Sequence, residues 1–377
     1  MTIEELKPPD DMVLPDNTVS GLQPISLLLQ RRRAAAATRR HKAAYDRYSS
    51  VAVYKGPSFN AHLGCDEFPP HPNGWFCVGV GRQFPPGSVM TMPFMGSEIV
   101  IYRTRSGRLR ITRPFCPHIG AHLGLGEVRG ENIVCPFHRF EFGPDGKCDR
   151  TPYSEPPRIS LSLLPSRERY GMVWVWNHHE GAEPTWELPS LDCPDVKTIR
   201  YCDFNVLPQD MMENLFDYGH FKSLHGLDVL PMGRPETDGP YCRFRLRNRH
   251  HLPVVGYIDE NIEVDIAGLG MSHSRVKLPG EHRMSSWVMT TPLKENVTRM
   301  WLTATLTPVR EGPVSRRTQD ALEKVLTRFY WTLLAQDFFV FQSKRYFRHP
   351  GLAREDSQIG WYRHWCRQFY PPVDAPS

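Results

Sequence analysis

Two mixed cysteine–histidine pairs constrain this chain of 377 residues more than any other feature of its sequence. Cys116 and His118 form the first pair, and Cys135 and His138 form the second after sixteen further residues. A Cys₂His₂ zinc site is one interpretation, although ordinary zinc fingers keep the two cysteines together and the two histidines together. The mixed arrangement favours a [2Fe–2S] centre of the Rieske type, in which two cysteines hold one iron and two histidines hold the other.

Glycines and prolines around these pairs predict tight loops that bring backbone N–H groups towards the cluster sulfurs. The residues that supply these loops are Pro117, Gly120, Gly124, Gly126 and Pro136. The chain has nine scattered cysteines, an odd number, so metal ligation is favoured over a disulfide framework.

A second constellation lies about eighty residues downstream, where His220 and His225 stand five positions apart. In a regular helix such positions point about 140° apart, so one metal can bind both only if the helix breaks. Gly219 and Gly226 make that break credible. Asp217 lies three residues before His220 on the same helical face, where its carboxylate can orient the imidazole.

Asp337 is the candidate for the oxygen ligand that would complete a metal site with the two imidazoles. It lies in the apolar run 333–341, where an ionised carboxylate is costly unless it is paired or bound to metal. Two histidines and one carboxylate form the facial triad of Fe(II) oxygenases, which leaves adjacent positions open for O₂. A partner for a buried arginine is the alternative role for Asp337.

The chain is predicted to contain two folded domains after an N-terminal extension. We expect an extension over residues 1–69, a small all-β domain over 70–180 and a catalytic domain over 181–377. Proline and glycine do not occur between positions 314 and 349, so a long helix is expected there. Short apolar or alternating runs predict strands in both domains, and the runs from residue 241 onwards suit an antiparallel sheet in the second domain. These runs cover residues 99–102, 109–112, 172–176, 241–246, 262–266, 284–290 and 299–306.

Composition and charge exclude several functional classes. Lys and Arg exceed Asp and Glu by 46 − 41 = 5, a balance too small to predict a nucleic-acid partner. A run of about 18 apolar residues is lacking, and the acidic N-terminus has no signal-peptide core, so a cytoplasmic protein is expected. Residues 27–48 predict a basic helix that is either solvated, packed against a subunit or in contact with an anionic membrane surface.

The two motifs together resemble the catalytic α-subunit of Rieske non-haem iron oxygenases, from about residue 70 to the C-terminus. Residues 72–76, 349–352 and 365–370 are similar to the group of ketosteroid 9α-hydroxylase oxygenases, sterol 7-desaturases and aminopyrrolnitrin oxygenase, with prodiginine oxidative cyclases as relatives. The resemblance implies an α+β chain, with an all-β Rieske [2Fe–2S] domain and a helix-grip catalytic domain built on an antiparallel sheet.

The resemblance also implies a head-to-tail homotrimer and roles for individual residues. Asp217 would bridge His220 to His138 of the neighbouring subunit and carry electrons between them. Asn214 and Asp217 are the residues predicted for the catalytic step, with His220, His225 and Asp337 as ligands of the mononuclear iron.

The sequence thus predicts an oxygenase that hydroxylates, desaturates or oxidatively cyclises an apolar small molecule with O₂. A dinucleotide loop of the Gly-x-Gly-x-x-Gly type and a plant-type ferredoxin cysteine spacing are lacking. A separate NAD(P)H-dependent reductase, with or without a ferredoxin, is therefore expected to deliver electrons. The alternative is a Rieske-type electron carrier or metalloprotein without oxygenase activity, which leaves the second histidine motif unused.

Overall fold

A computed structural model describes residues 43, 45–51, 71–252, 256–277, 283–307, 321, 325, 328 and 330–371 of the chain, without the side chains of residues 250–259. The basic helix expected over residues 27–48 lies largely outside these residues. Positions 43 and 45–48 are described and are helical. Among the described residues, no helix is long and apolar enough to span a membrane.

The first half of the described chain forms three small antiparallel sheets. The strand orders are β10-β11-β2, β3-β4-β5 and β6-β7-β8-β9. Alternating or fully buried apolar side chains explain these strands, since both faces of the central ones are covered. Their bounds are β2 (Gly74–Val80), β3 (Val89–Phe94), β4 (Ser97–Arg103), β5 (Leu109–Thr112), β6 (Glu127–Arg129), β7 (Asn132–Val134), β8 (Glu141–Phe142), β9 (Cys148–Arg150), β10 (Ser166–Arg169) and β11 (Met172–Asn177).

The second half is dominated by one large sheet of nine strands in the order β1-β12-β19-β18-β17-β16-β15-β13, with β14 paired to β15. Among the strands that the structure describes, only the short β1 runs parallel to its neighbour, and the other pairings in this sheet are antiparallel. The bounds are β1 (Ser49–Val51), β12 (Ile199–Phe204), β13 (Asp228–Pro231), β14 (Glu236–Asp238), β15 (Tyr241–Leu252), β16 (Gly256–Ala267), β17 (Met271–Lys277), β18 (Arg283–Lys294) and β19 (Val297–Thr307).

Few helices accompany this sheet, so the predicted α+β class with a mainly antiparallel catalytic sheet is confirmed. The long helix expected between positions 314 and 349 is interrupted: residues 330–334 are helical, residues 335–337 form a turn, and the next helix ends at Ser343. The helix bounds are α1 (Pro208–Glu213), α2 (Tyr218–Ser223), α3 (Phe338–Ser343) and α4 (Ser357–Cys366), with 3₁₀ turns at Gly81–Gln83, Leu123–Leu125, Arg354–Asp356 and Arg367–Phe369.

One hydrophobic core joins the small sheets to one face of the large sheet. Trp75 and Trp174 from the first half pack with Trp287 and Trp301 from the large sheet, and all four are fully buried. At Gly270 a Cβ would lie 2.1 Å from the carbonyl oxygen of Trp75, so only glycine permits this approach of the two backbones. The opposite face of the large sheet is therefore the one that receives the helices.

Candidate metal centres

The two cysteine–histidine pairs lie on loops of the same construction. The N–H of Cys116 and the N–H of Cys135 each donate to the carbonyl oxygen five residues later, at 2.8 Å in both loops. The fourth residue after each cysteine has a positive φ, 84° at Gly120 and 62° at Arg139. Both loops therefore fold back on themselves and hold a cysteine at the base with a histidine near the tip.

The two histidines of these loops come together. The ring centroids of His118 and His138 are 4.8 Å apart at an angle of 74°. His118 stacks on Phe140 at 4.3 Å, which fixes its ring plane. Nδ1 of His138 is buried and has no hydrogen-bond partner among the described residues, so it is an acceptor that a metal would satisfy.

The two cysteine side chains change each other's pKa. A hydrogen bond from the Cys116 thiol, assisted by the backbone N–H groups of Phe137 and His138, lowers the pKa of Cys135 to about 6 although burial opposes it. The same thiol–thiol contact, together with burial, raises the pKa of Cys116. Backbone donors aimed at a thiolate are what a [2Fe–2S] cluster requires of its cysteine loops.

The spacing of these donors argues against the zinc alternative. A tetrahedral zinc site would place its four donor atoms about 3.5 Å from one another. Across the described parts of the chain, one group of at least three His, Cys, Asp or Glu side chains has its donor atoms within 4.8 Å of one another, and it does not include these cysteines. A cluster with two irons, which separates the cysteine pair from the histidine pair, fits this arrangement.

That one group consists of His220, His225 and Asp337. Nε2 of His225 lies 3.3 Å from Oδ2 of Asp337, and Nε2 of His220 lies 4.0 Å from Oδ1 of the same carboxylate. Asp337 is 2% exposed. The three side chains predicted from the sequence as ligands are thus placed where a single ion can reach all of them.

Local breaks in two helices bring these side chains together. Helix α2 ends at Ser223, and Gly226 has a φ of 66°, so His225 lies beyond the helix end as its five-residue spacing requires. Before α3 the chain tightens: the N–H groups of Gln336 and Asp337 each donate to the carbonyl three residues earlier, at 3.0 Å. This 3₁₀ geometry turns both side chains towards the histidines.

Each imidazole is oriented by an acceptor at Nδ1. Nδ1 of His220 is 2.5 Å from the carbonyl oxygen of Asp217, and Nδ1 of His225 is 2.8 Å from Oε1 of Gln336. Both acceptors require an Nδ1–H, so that in the neutral form of each imidazole the Nε2 lone pair faces Asp337. Gln336 was missed by sequence reasoning, although its polarity beside Asp337 in an apolar run was the available signal.

The carboxylate of Asp217 has a different local role from the one expected. Its Oδ1 accepts from the backbone N–H of His220 at 3.1 Å and caps helix α2, whereas Oδ2 is 3.9 Å from the imidazole Nδ1. The backbone carbonyl, rather than the carboxylate, therefore orients the ring. Asn214 lies at the C-cap of α1, and its carbonyl oxygen accepts from the N–H of Asp217 at 3.4 Å.

The electrostatics of the two histidines differ. Burial lowers the pKa of His220, although the Asp337 charge opposes that change. A hydrogen bond to Asp337 raises the pKa of His225 against the effect of burial. Without metal, burial therefore favours the neutral form of His220, which is the form that a metal binds, whereas the contact with Asp337 favours protonation of His225.

Comparison with known families agrees with these two centres. The Rieske [2Fe-2S] domain matches residues 74–167, and the 3-ketosteroid 9α-hydroxylase C-terminal domain matches residues 175–370, which is just over half of the chain. The chain belongs to the family of Rieske oxygenases that carry this C-terminal domain.

Similar curated proteins are named for sterol oxidation. Cholesterol 7-desaturase nvd of Xenopus laevis is 29% identical over 338 residues, covering 81% of this chain and 73% of the relative. The corresponding protein of Bombyx mori is 27% identical and covers 80% and 70%. The oxygenase component of 3-ketosteroid-9-alpha-monooxygenase from Mycobacterium tuberculosis is 25% identical and covers 80% and 82%.

Solved structures support the fold. Dicamba monooxygenase bound to 3,6-dichlorosalicylic acid has a TM-score of 0.64 at 15% identity, covering 79% of this chain and 97% of that one. NdmA of Pseudomonas putida CBB5 has a TM-score of 0.56 at 17% identity, covering 78% and 88%. Membership of the family makes the chain an oxidoreductase with a [2Fe–2S] cluster that works with O₂, a small-molecule substrate and a separate electron-transfer partner.

Proposed function

We propose that this chain is the terminal oxygenase component that hydroxylates or desaturates an apolar, sterol-like molecule. The convergence of His220, His225 and Asp337 beyond a Rieske domain carries the proposal. Two imidazoles and one carboxylate on one side of Fe(II) leave adjacent positions for O₂ and substrate. Oxidative cyclisation shares the same first step and stays within the proposed chemistry.

Seven side chains would hold the two cofactors. Cys116, Cys135, His118 and His138 would hold the cluster, and the His220, His225 and Asp337 group would hold Fe(II). When bound, the iron supplies O₂ activation with electrons from the cluster, so that a hydrogen can be removed from the substrate.

The protein's own groups would prepare this centre. Gln336 and the carbonyl of Asp217 keep the Nδ1–H groups of both imidazoles occupied, so each Nε2 stays available. The side chains of His225 and Asp337 are 4% and 3% exposed, which keeps water away from the ligands. A dry site strengthens the interaction between the Asp337 charge and the metal.

The chemical character of the helix-facing side of the sheet supports an apolar substrate. Val276, Met284 and Leu306 are buried there and pack with Ile262 and Tyr330. Apolar side chains of this kind bind rings and aliphatic carbons through burial of apolar area where they border a cavity. The names of the relatives, cholesterol 7-desaturase and 3-ketosteroid-9-alpha-monooxygenase, favour a sterol skeleton.

Electrons would pass between neighbouring subunits of a head-to-tail homotrimer. Around the cluster loops Phe115, Ile119 and Phe137 are 59%, 59% and 62% exposed, a concentration of apolar side chains that suits a subunit interface. Asp217, with a side chain 34% exposed beside His220, would bridge to His138 of the neighbour. The proposal also includes the division of the chain into an N-terminal extension (residues 1–69), a Rieske domain (70–180) and a catalytic domain (181–377).

The test is turnover with purified components. The oxygenase, a surrogate NAD(P)H reductase and a ferredoxin are incubated with cholesterol or a 3-ketosteroid, and O₂ uptake is measured beside product mass. Gain of one oxygen indicates hydroxylation, and loss of two hydrogens indicates desaturation. Coupled turnover that survives His220→Ala overturns the proposal, whereas His364→Ala, which alters an exposed histidine, should be unaffected.

Iron analysis separates the oxygenase from the electron carrier. About three Fe and two sulfides per chain are expected for a cluster plus a mononuclear site, and about two Fe for a carrier. Zinc without sulfide would refute both interpretations.

A further inference from the structure

Glu213, seven residues before His220, has a buried carboxylate with two cationic partners. It ends helix α1 and is 5% exposed. Nε and Nη2 of Arg363 donate to its two oxygens at 2.5 and 3.1 Å, and Nζ of Lys344 donates to Oε1 at 3.2 Å. A bidentate arginine contact of this kind fixes both distance and direction.

Asp210 completes a buried charge quartet with Glu213, Lys344 and Arg363. It lies one turn earlier on α1 and is fully buried, with Oδ1 3.5 Å from Nζ of Lys344 and 3.6 Å from Nη2 of Arg363. Burial raises the pKa of Asp210, and the two carboxylates raise the pKa of Lys344 although burial alone would lower it. Such a quartet contributes little net stability compared with apolar packing, so a positional role is the better reason for it.

The quartet joins the two chain segments that carry the candidate iron ligands. Lys344 is the C-cap of α3, whose N-cap is Asp337, and a helix of six residues is about 9 Å long. Glu213 lies seven residues before His220, separated from it by one turn and the cap of α2. Arg363 comes from α4, which contributes no candidate ligand.

Neighbouring contacts make these segments rigid. Phe216, in the turn between α1 and α2, stacks on Tyr362 of α4 at 4.6 Å and 18°. In α3, Oε1 of Gln342 accepts from the backbone N–H of Asn205 at 2.8 Å. A displacement at the quartet would therefore move the segments as units and change the separation of their ligand atoms.

We propose that Glu213 is a positioning residue that sets the distance between His220 and Asp337 by tethering α1 to α3 through Lys344. The inference rests on the proposed function, because it assigns these two side chains to the iron. It adds a determinant of iron geometry that makes no contact with the metal.

The test distinguishes loss of the Glu213–Lys344 contact from loss of charge balance in the buried quartet. Glu213→Gln removes the charged partner of Lys344, although Asp210 on the same helix still lies 3.5 Å from Nζ, and it leaves an uncompensated buried cation, so loss of folding stability alone would be uninformative. The double variant Glu213→Gln/Lys344→Met restores the balance of charge while the tether stays broken. Thermal unfolding, Fe(II) affinity and the electron paramagnetic resonance spectrum of the iron–nitric oxide adduct are measured for the wild type and both variants.

The double variant is expected to regain stability while its Fe(II) affinity stays about 10-fold or more below wild type and its nitric oxide spectrum stays altered. Wild-type affinity and spectrum in that variant would overturn the proposal. Asp203→Asn is the matched control, because Asp203 also holds a bidentate arginine, Arg299, at 2.6 and 2.8 Å on the large sheet. Failure of the wild type to oxidise sterols would overturn the proposed function, whereas the iron measurements need no substrate.

Discussion

Replacement of Gln336 by methionine should weaken Fe(II) binding without disturbing the cluster. His225 donates its Nδ1–H to Gln336 at 2.8 Å; the His225 side chain is 4% exposed, but Gln336 lies at the surface, so water can partly replace the lost acceptor. A neutral hydrogen bond contributes about 0.5–1.5 kcal/mol when water can compete for its groups. Metal binding at Nε2 enforces that tautomer, whereas the metal-free ring can adopt the other one. The cost therefore falls on metal binding and corresponds to about a 2- to 12-fold loss of affinity.

The assay is an anaerobic Fe(II) titration of protein that keeps its cluster but lacks the mononuclear iron. Gln336→Glu retains an acceptor and should keep most of the affinity. Gln368→Met is the matched control, because Gln368 donates to the carbonyl oxygen of Trp365 and contacts no candidate iron ligand in that bond. Equal Fe(II) affinities for wild type and Gln336→Met would refute the reasoning.

Three further outcomes are expected. Asp337→Ala should lower bound iron from about three to about two per chain while the visible absorption of the cluster persists, since it removes the one anionic ligand; three retained irons would contradict this. Cys135→Ser should abolish the cluster absorption, because the thiolate is a cluster ligand; an unchanged spectrum would exclude that assignment. Burial, assisted by Arg275, lowers the pKa of His273 to about 3. The unfolded chain takes up this proton near pH 6.5, so stability should fall by about 2 kcal/mol at pH 5. His273→Leu should flatten this decline in thermal unfolding, and an equal decline in both proteins would show that another group is responsible.

Strands were predictable because their signal is local. Runs such as 172–176 and 299–306 alternate or are continuously apolar, and both lie within strands of the structure. The long helix was predicted from the lack of proline and glycine, but the turn at residues 335–337 interrupts it. Propensity alone did not reveal that turn, because its residues suit a helix and the tightening becomes favourable only when Gln336 reaches a distant histidine.

The sequence by itself predicted the donors of the two centres from mixed cysteine–histidine pairs at fixed spacing, a histidine pair that needs a broken helix, and a carboxylate in an apolar run. Only the tertiary structure decided which groups support them. His225 and Gln336 lie 111 positions apart, and Glu213 and Arg363 lie 150 apart. Periodicity and spacing describe neighbours along the chain, whereas these contacts depend on how α1, α3 and α4 pack beside the sheet. The geometry of the iron site therefore depends on how the helices pack, whereas the donor residues could be predicted from the sequence.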